Sequence, residues 1–132
     1  MQGFQIALSF TMSEKRILWV DDDPGLAAII KVTLPTFDVC VETNPLKAAE
    51  TARLFKPDIM FLDVIMPEAN GGMVAAQFKE DPELAKIPIV FVTGILSEME
   101  AAAEQKISGY EFLAKPVSRH QIISCLKRHL GM

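Results

Sequence analysis

Five strand-length apolar runs punctuate the chain: "RILWV" (16–20), "FDVCVE" (37–42), "DIMFLDV" (58–64), "IPIVFVT" (87–93) and "YEFLA" (110–114). Each is nearly continuous in Val, Ile, Leu and Phe, which is what a parallel strand buried on both faces requires. The stretches between them have helical spacing. Parallel neighbours need a crossover each, and crossovers are right-handed, so this alternation predicts an α/β fold with a parallel sheet covered by helices on both sides.

Local signals mark the helices. Leu26, Ile29, Ile30 and Leu34 trace one face of a first helix ended by Pro35. Asn44 and Pro45 supply an N-cap and a first-turn proline for a second. A third is expected to start after the "NGG" turn near Gly72 and to stop before "EDPE" (80–83). Ser97 with Glu100, and Ser118 with Gln121, have capping-box spacing ahead of the fourth and fifth.

In such a sheet, ligands bind beyond the carboxyl ends of the strands. The polar residues at those ends are therefore informative. Asp21, Asp22 and Asp23 follow the first strand, Asp63 lies near the end of the third, Thr93 and Gly94 end the fourth, and Lys115 ends the fifth. Carboxylates gathered at one edge repel one another unless a hard cation binds them. Mg²⁺ takes oxygen ligands and is often completed by phosphate, so the natural complement is Mg²⁺ beside a phosphoryl group. Lys115 adds a positive charge and Thr93 a hydroxyl donor. Taken singly, the aspartates also suit a solvated turn before Pro24 and Gly25, and Thr93 an ordinary strand position. Asp63 is different, because it sits inside an apolar run where an unpaired carboxylate is costly.

In this order and on these elements, "VDD" (20–22), "FLDVIMPEANGG" (61–72), "VFVTG" (90–94) and "FLAKP" (112–116) resemble the receiver domain of two-component response regulators over residues 14–132. The resemblance implies a flavodoxin-like doubly wound (βα)5 three-layer sandwich with sheet order 2-1-3-4-5. It implies that Asp63 takes the phosphoryl group and that Asp21 and Asp22, with the backbone carbonyl of Ile65, hold Mg²⁺ as cofactor. Thr93 matches the switch hydroxyl, Phe112 the switch aromatic, and Lys115 the lysine that pairs with phosphoryl oxygens. Pro116 matches a residue preceded by a cis peptide, and Gly94 the small position that keeps the acceptor accessible. Asp23 is read as a helix-capping residue rather than a ligand. Tyr110, His120 and His129 are read as surface residues.

The implied function is a phosphoacceptor receiver that takes a phosphoryl group from a histidine kinase or histidine phosphotransfer protein. It then alters the face made by its fourth helix, fifth strand and fifth helix for a downstream target. This is a signalling module whose only chemistry is its own phosphorylation and dephosphorylation. Ile65 and Ile95, each two residues past a key position, are apolar where several fast-hydrolysing relatives carry polar groups, which points to a long-lived acyl phosphate. Two alternatives differ in class. One is an interaction module that keeps the fold without phosphorylation, which the intact Asp63, acidic pair, Thr93 and Lys115 argue against. The other is a Mg-dependent phosphohydrolase of the haloacid-dehalogenase type. Pro24 and Gly25 after "DDD", and "KPVSRH" after the fifth strand, depart from that family's pattern.

Composition narrows the setting. The 132 residues fit one domain, half of them are hydrophobic, and the net charge is −4 without a basic block, so direct nucleic-acid binding is not expected. No apolar run reaches the roughly 20 residues that span a bilayer. Cys40 and Cys125 lack disulfide or metal-motif spacing and read as free thiols in a reducing, cytoplasmic compartment. Residues 1–13 are read as an extension outside the domain at 14–132, which is expected to be a monomer or a phosphorylation-dependent dimer.

Overall fold

The structure, a computed structural model, describes residues 15–64, 71–94, 106–107 and 110–132. Six strands form one sheet: β1 (Arg16–Val20), β2 (Asp38–Glu42), β3 (Ile59–Asp63), β4 (Ile89–Thr93), β5 (Lys106–Ile107) and β6 (Tyr110–Ala114). The helices are α1 (Leu26–Thr33), α2 (Ala48–Phe55), α3 (Gly71–Glu80) and α4 (Arg119–Leu130). The order across the sheet is β2-β1-β3-β4-β6-β5. The five expected strands are parallel neighbours in the expected order 2-1-3-4-5, with β6 as the fifth. β5, a two-residue strand antiparallel to β6, is too short to leave a periodic signal in the sequence.

Period-2 alternation along the strands divides the core into two layers. Leu18, Val20, Met60, Leu62 and Phe91 point to one face, against Ala48, Ala49 and Ala52 of α2 and Val74, Ala75 and Phe78 of α3. Ile17, Trp19, Ile59, Phe61, Val90 and Val92 point to the other, against Ile30 of α1 and Ile122, Cys125 and Leu126 of α4. The Trp19 and Phe61 rings stack at 4.6 Å within that second layer.

The helix boundaries show where local signals compete. Asn44 accepts from the Leu46 N–H, but Pro45–Lys47 is a 3₁₀ turn leading into α2 rather than its first turn. Glycines 71 and 72 of the "NGG" turn already belong to α3, which runs on to Glu80. Ile29, expected on the buried face of α1, is 62% exposed, while Ile30 and Leu34 are buried. Ser118 and Gln121 form the expected capping box of α4. The capping pair Ser97 and Glu100, the positions Ile65 and Ile95, and residues 1–13 lie outside the described residues.

Candidate functional site

Strands β1, β3, β4 and β6 end side by side, and this parallel register gathers the polar residues. Asp21 follows Val20 of β1, and its N–H donates to the Glu42 carbonyl at 3.1 Å. Asp63 closes β3 opposite Val92, and Thr93 closes β4 opposite Ala114. Lys115 follows β6, its N–H donating to the Thr93 carbonyl at 2.8 Å. Asp21, Asp63 and Thr93 are the polar residues buried among those described, at 1%, 5% and 0% exposure. Asp22 is exposed beside them. Carboxylate oxygens of Asp21, Asp22 and Asp63 lie within 4.8 Å of one another.

Lys115 is the cation at this cluster. Its Nζ donates to Asp21 Oδ2 at 2.9 Å and stands 3.6 Å from Asp63 Oδ2. Partial burial works to lower the ammonium's pKa. The hydrogen bond and charge of Asp21, then of Asp63, outweigh it and hold Lys115 above the ordinary lysine value. One lysine against three carboxylates leaves a net negative oxygen-only site, the donor set a hard divalent cation prefers.

The surrounding residues fix this geometry. Asp23 does not cap α1 through its side chain: the N-cap is Gly25, and Asp23 Oδ1 instead accepts the Gly25 N–H at 3.0 Å in an Asx turn. The Asp23 N–H donates to Asp21 Oδ1 at 3.0 Å, which orients the buried carboxylate. The Lys115–Pro116 peptide is cis, as the resemblance implied. Phe112 is half-buried against the first core layer, paired in register with Phe91. Tyr110 is not the surface residue the sequence suggested. It lies two residues from Phe112, so it shares that face, and its ring packs 5.3 Å from Phe91. His120 and His129 are both exposed as expected, and His129 also pairs with Glu111 at 2.9 Å.

Gly71, expected only to mark a turn, supports the site. A Cβ there would lie 2.6 Å from the Asp63 carbonyl oxygen and 3.0 Å from Val64 Cα. The Gly71 N–H donates to the Val64 carbonyl at 2.8 Å, so α3 starts directly against the backbone that carries Asp63. "NGG" signals a turn, but nothing in it indicates which backbone the turn meets.

Residues 17–127 match the family model of the response regulator receiver domain. The polar-differentiation response regulator DivK of Brucella anthropi is 31% identical over 88 residues, 67% of this chain and 72% of that protein. The transcriptional regulator RpaA of Synechocystis is 26% identical over 116 residues, 83% of this chain but 46% of that protein, so this chain spans less than half of RpaA. The solved signal receiver domain of a Syntrophus aciditrophicus signal transduction histidine kinase superposes with a TM-score of 0.74 at 27% identity, covering 89% of this chain and 90% of that one. The chain belongs to the response regulator receiver family. It is a phosphoacceptor signalling domain of two-component systems. Receiver domains act with histidine kinases or phosphotransfer proteins, are signalling modules rather than turnover enzymes, and bind Mg²⁺ at an acidic pocket, for which this chain has the aspartate cluster. No helix among the described residues is long and apolar enough to cross a membrane.

Proposed function

We propose that Asp63 is the phosphoacceptor of this receiver and that Lys115 and Thr93 read the phosphoryl group. The observation that carries this is the convergence of Asp21, Asp22 and Asp63 on the Lys115 ammonium at the carboxyl edge of the sheet. Asp21, Asp22 and Asp63, with the backbone carbonyl of Ile65, are the groups that would hold Mg²⁺, which when bound neutralises the clustered carboxylates and charge on the transferring group. An Asp63 carboxylate oxygen attacks phosphorus as the bond from phosphorus to the donor, a phosphohistidine nitrogen or a small phosphodonor's oxygen, breaks. The product is an acyl phosphate that carries about −1.5 to −2 charge in place of the carboxylate's single negative charge. Lys115 is within reach of both carboxylates and can turn from Asp21 to the new phosphoryl oxygens.

A groove of about 560 Å³ opens beside the site between α1 and the turn after β6, lined by Asp21, Asp23, Leu26, Ile29, Lys115 and Pro116. It is wide enough for a donor imidazole to approach. Thr93, fully buried, bonds the phosphoryl group by moving inward, and Phe112 then gains room to turn. The acyl phosphate thereby favours one of two packings of the face built on β6 and α4, through which a downstream protein is engaged. The domain spans residues 14–132, preceded by an extension at 1–13, and works in the cytoplasm as a monomer or a phosphorylation-dependent dimer. The apolar side chains of Ile65 and Ile95 orient no attacking water, so the acyl phosphate of the purified domain decays over minutes rather than seconds.

The test is incubation with Mg²⁺ and either acetyl phosphate or a phosphorylated histidine phosphotransfer protein, read by intact mass. Wild type gains one phosphoryl group and Asp63→Asn gains none. No gain from either donor overturns the assignment and favours a phosphorylation-independent interaction module, and an equal gain in Asp63→Asn overturns it by placing the acceptor at another residue.

A further inference from the structure

Away from the acceptor edge, β6 and α4 bring together a second group of metal-type donors. Glu111 leaves β6 on the side that faces α4. Cys125 and His129 are four residues apart on α4 and so lie on the same helix face. Their ligand atoms, a carboxylate oxygen, a thiol sulfur and an imidazole nitrogen, all lie within 4.8 Å of one another. Cys125 is buried at the floor, Glu111 is half-buried, and His129 stands at the rim with its Nε2 already 2.9 Å from Glu111 Oε1.

We propose that Glu111, Cys125 and His129 form a binding site for a zinc-class transition metal, with one coordination position left open to water or an external ligand. The donor set is the argument. Thiolate and imidazole select borderline and soft metals, whereas Mg²⁺ takes oxygen, so this site and the aspartate cluster sort different ions. In a tetrahedral site with bonds of about 2.0–2.3 Å, ligand atoms stand about 3.3–3.8 Å apart, so the present separations close with side-chain movements of about 1 Å. Glu111 and His129 have the exposure to make them. Arg128 now pairs with Glu111, but it is 55% exposed and leaves for solvent at little cost. In the metal-free protein Glu111 pairs with Arg128 and His129 and also accepts from the Cys125 thiol, which burial and this carboxylate push up to about 12, so a metal that draws these three ligand atoms together displaces the thiol proton. A bound metal would tie the last turns of α4 to β6, the two described elements of the proposed output face. The site itself does not depend on phosphorylation at Asp63.

Cobalt(II) is the probe, titrated into the reduced full-length chain with Mg²⁺ in excess to occupy the aspartate cluster. Thiolate-to-cobalt charge-transfer absorption is the readout, because an oxygen-only site cannot produce it. One equivalent is expected to bind with that band, and Zn²⁺ to displace it. His129→Ala and Glu111→Gln, both at half-exposed or rim positions, are expected to weaken binding by at least about tenfold. Cys125→Ser removes the band, while Cys40→Ser and Asp63→Asn keep it. Circular dichroism confirms that each variant is folded. If Cys125→Ser does not fold, the other two variants still decide the matter. A folded wild type without the band, a band that follows Cys40, or one indifferent to both His129→Ala and Glu111→Gln overturns the proposal.

Discussion

Two glycines near the acceptor edge differ sharply in what they tolerate. A methyl at position 71 would press on the backbone of Asp63 and Val64, which cannot yield without moving the strand end. Gly71→Ala is therefore expected to destabilise by about 1–3 kcal/mol and to slow phosphorylation, as read by urea unfolding and acetyl phosphate labelling. At Gly94 the nearest atoms to an added Cβ are Lys115 Cβ and Cδ at 3.7 and 3.8 Å, an ordinary contact. Gly94→Ala should change stability by less than about 0.5 kcal/mol. Lys115 makes a further prediction. Its ammonium is held above the ordinary lysine value by Asp21 and Asp63 against the effect of burial, so its stabilising contribution is complete below the unfolded pKa and is lost as pH rises through the folded one. In metal-free protein, the stability difference between wild type and Lys115→Met should shrink above about pH 10.4. A difference independent of pH would contradict the pairing. Lys115→Ala should also slow phosphorylation by about 10²–10³-fold, the scale of losing one preorganised charge-stabilising donor.

Among the elements, α4 carries the clearest device. Ser118 Oγ accepts the Gln121 N–H at 3.1 Å, and Gln121 Oε1 accepts the Ser118 N–H at 2.9 Å. Ser118→Ala should lower stability by about 1 kcal/mol in urea unfolding. This box was legible because both partners lie three residues apart. The parallel strands were legible because a run buried on both faces stands out from its surroundings, and the site because Asp21, Asp63, Thr93 and Lys115 interrupt or end such runs. What escaped depends on the path of the chain in space. Two residues of β5 carry no periodicity, the Asx turn of Asp23 competes with capping, and Glu111 meets His129 across 18 positions. Strand alternation alone puts Tyr110 on the face of Phe112, two positions away, whereas its ring contact with Phe91 depends on the neighbouring strand β4.

For the molecule as a whole, the sheet is a partition between two apolar layers, with its like-charged edge held by one lysine. Folding without a metal therefore works against the repulsion of that edge, and any ion that binds only the folded cluster raises stability by mass action. Mg²⁺ at ten times its Kd should add about 1.4 kcal/mol and raise the melting temperature by ~3–5 °C. The shift should vanish in Asp22→Ala combined with Asp63→Asn, as thermal unfolding followed by circular dichroism can check. The short antiparallel β5 also bears on self-association. A sheet edge offers unpaired backbone on which another chain can build, and natural proteins blunt such edges with brevity and charge. At one side, β5 replaces a five-residue parallel edge with two antiparallel residues. At the other, β2 begins and ends with carboxylates, Asp38 and Glu42. Among the described residues, neither border offers a long neutral template, so fibre-like stacking through the sheet is disfavoured and any pairing of two copies is left to the helical faces.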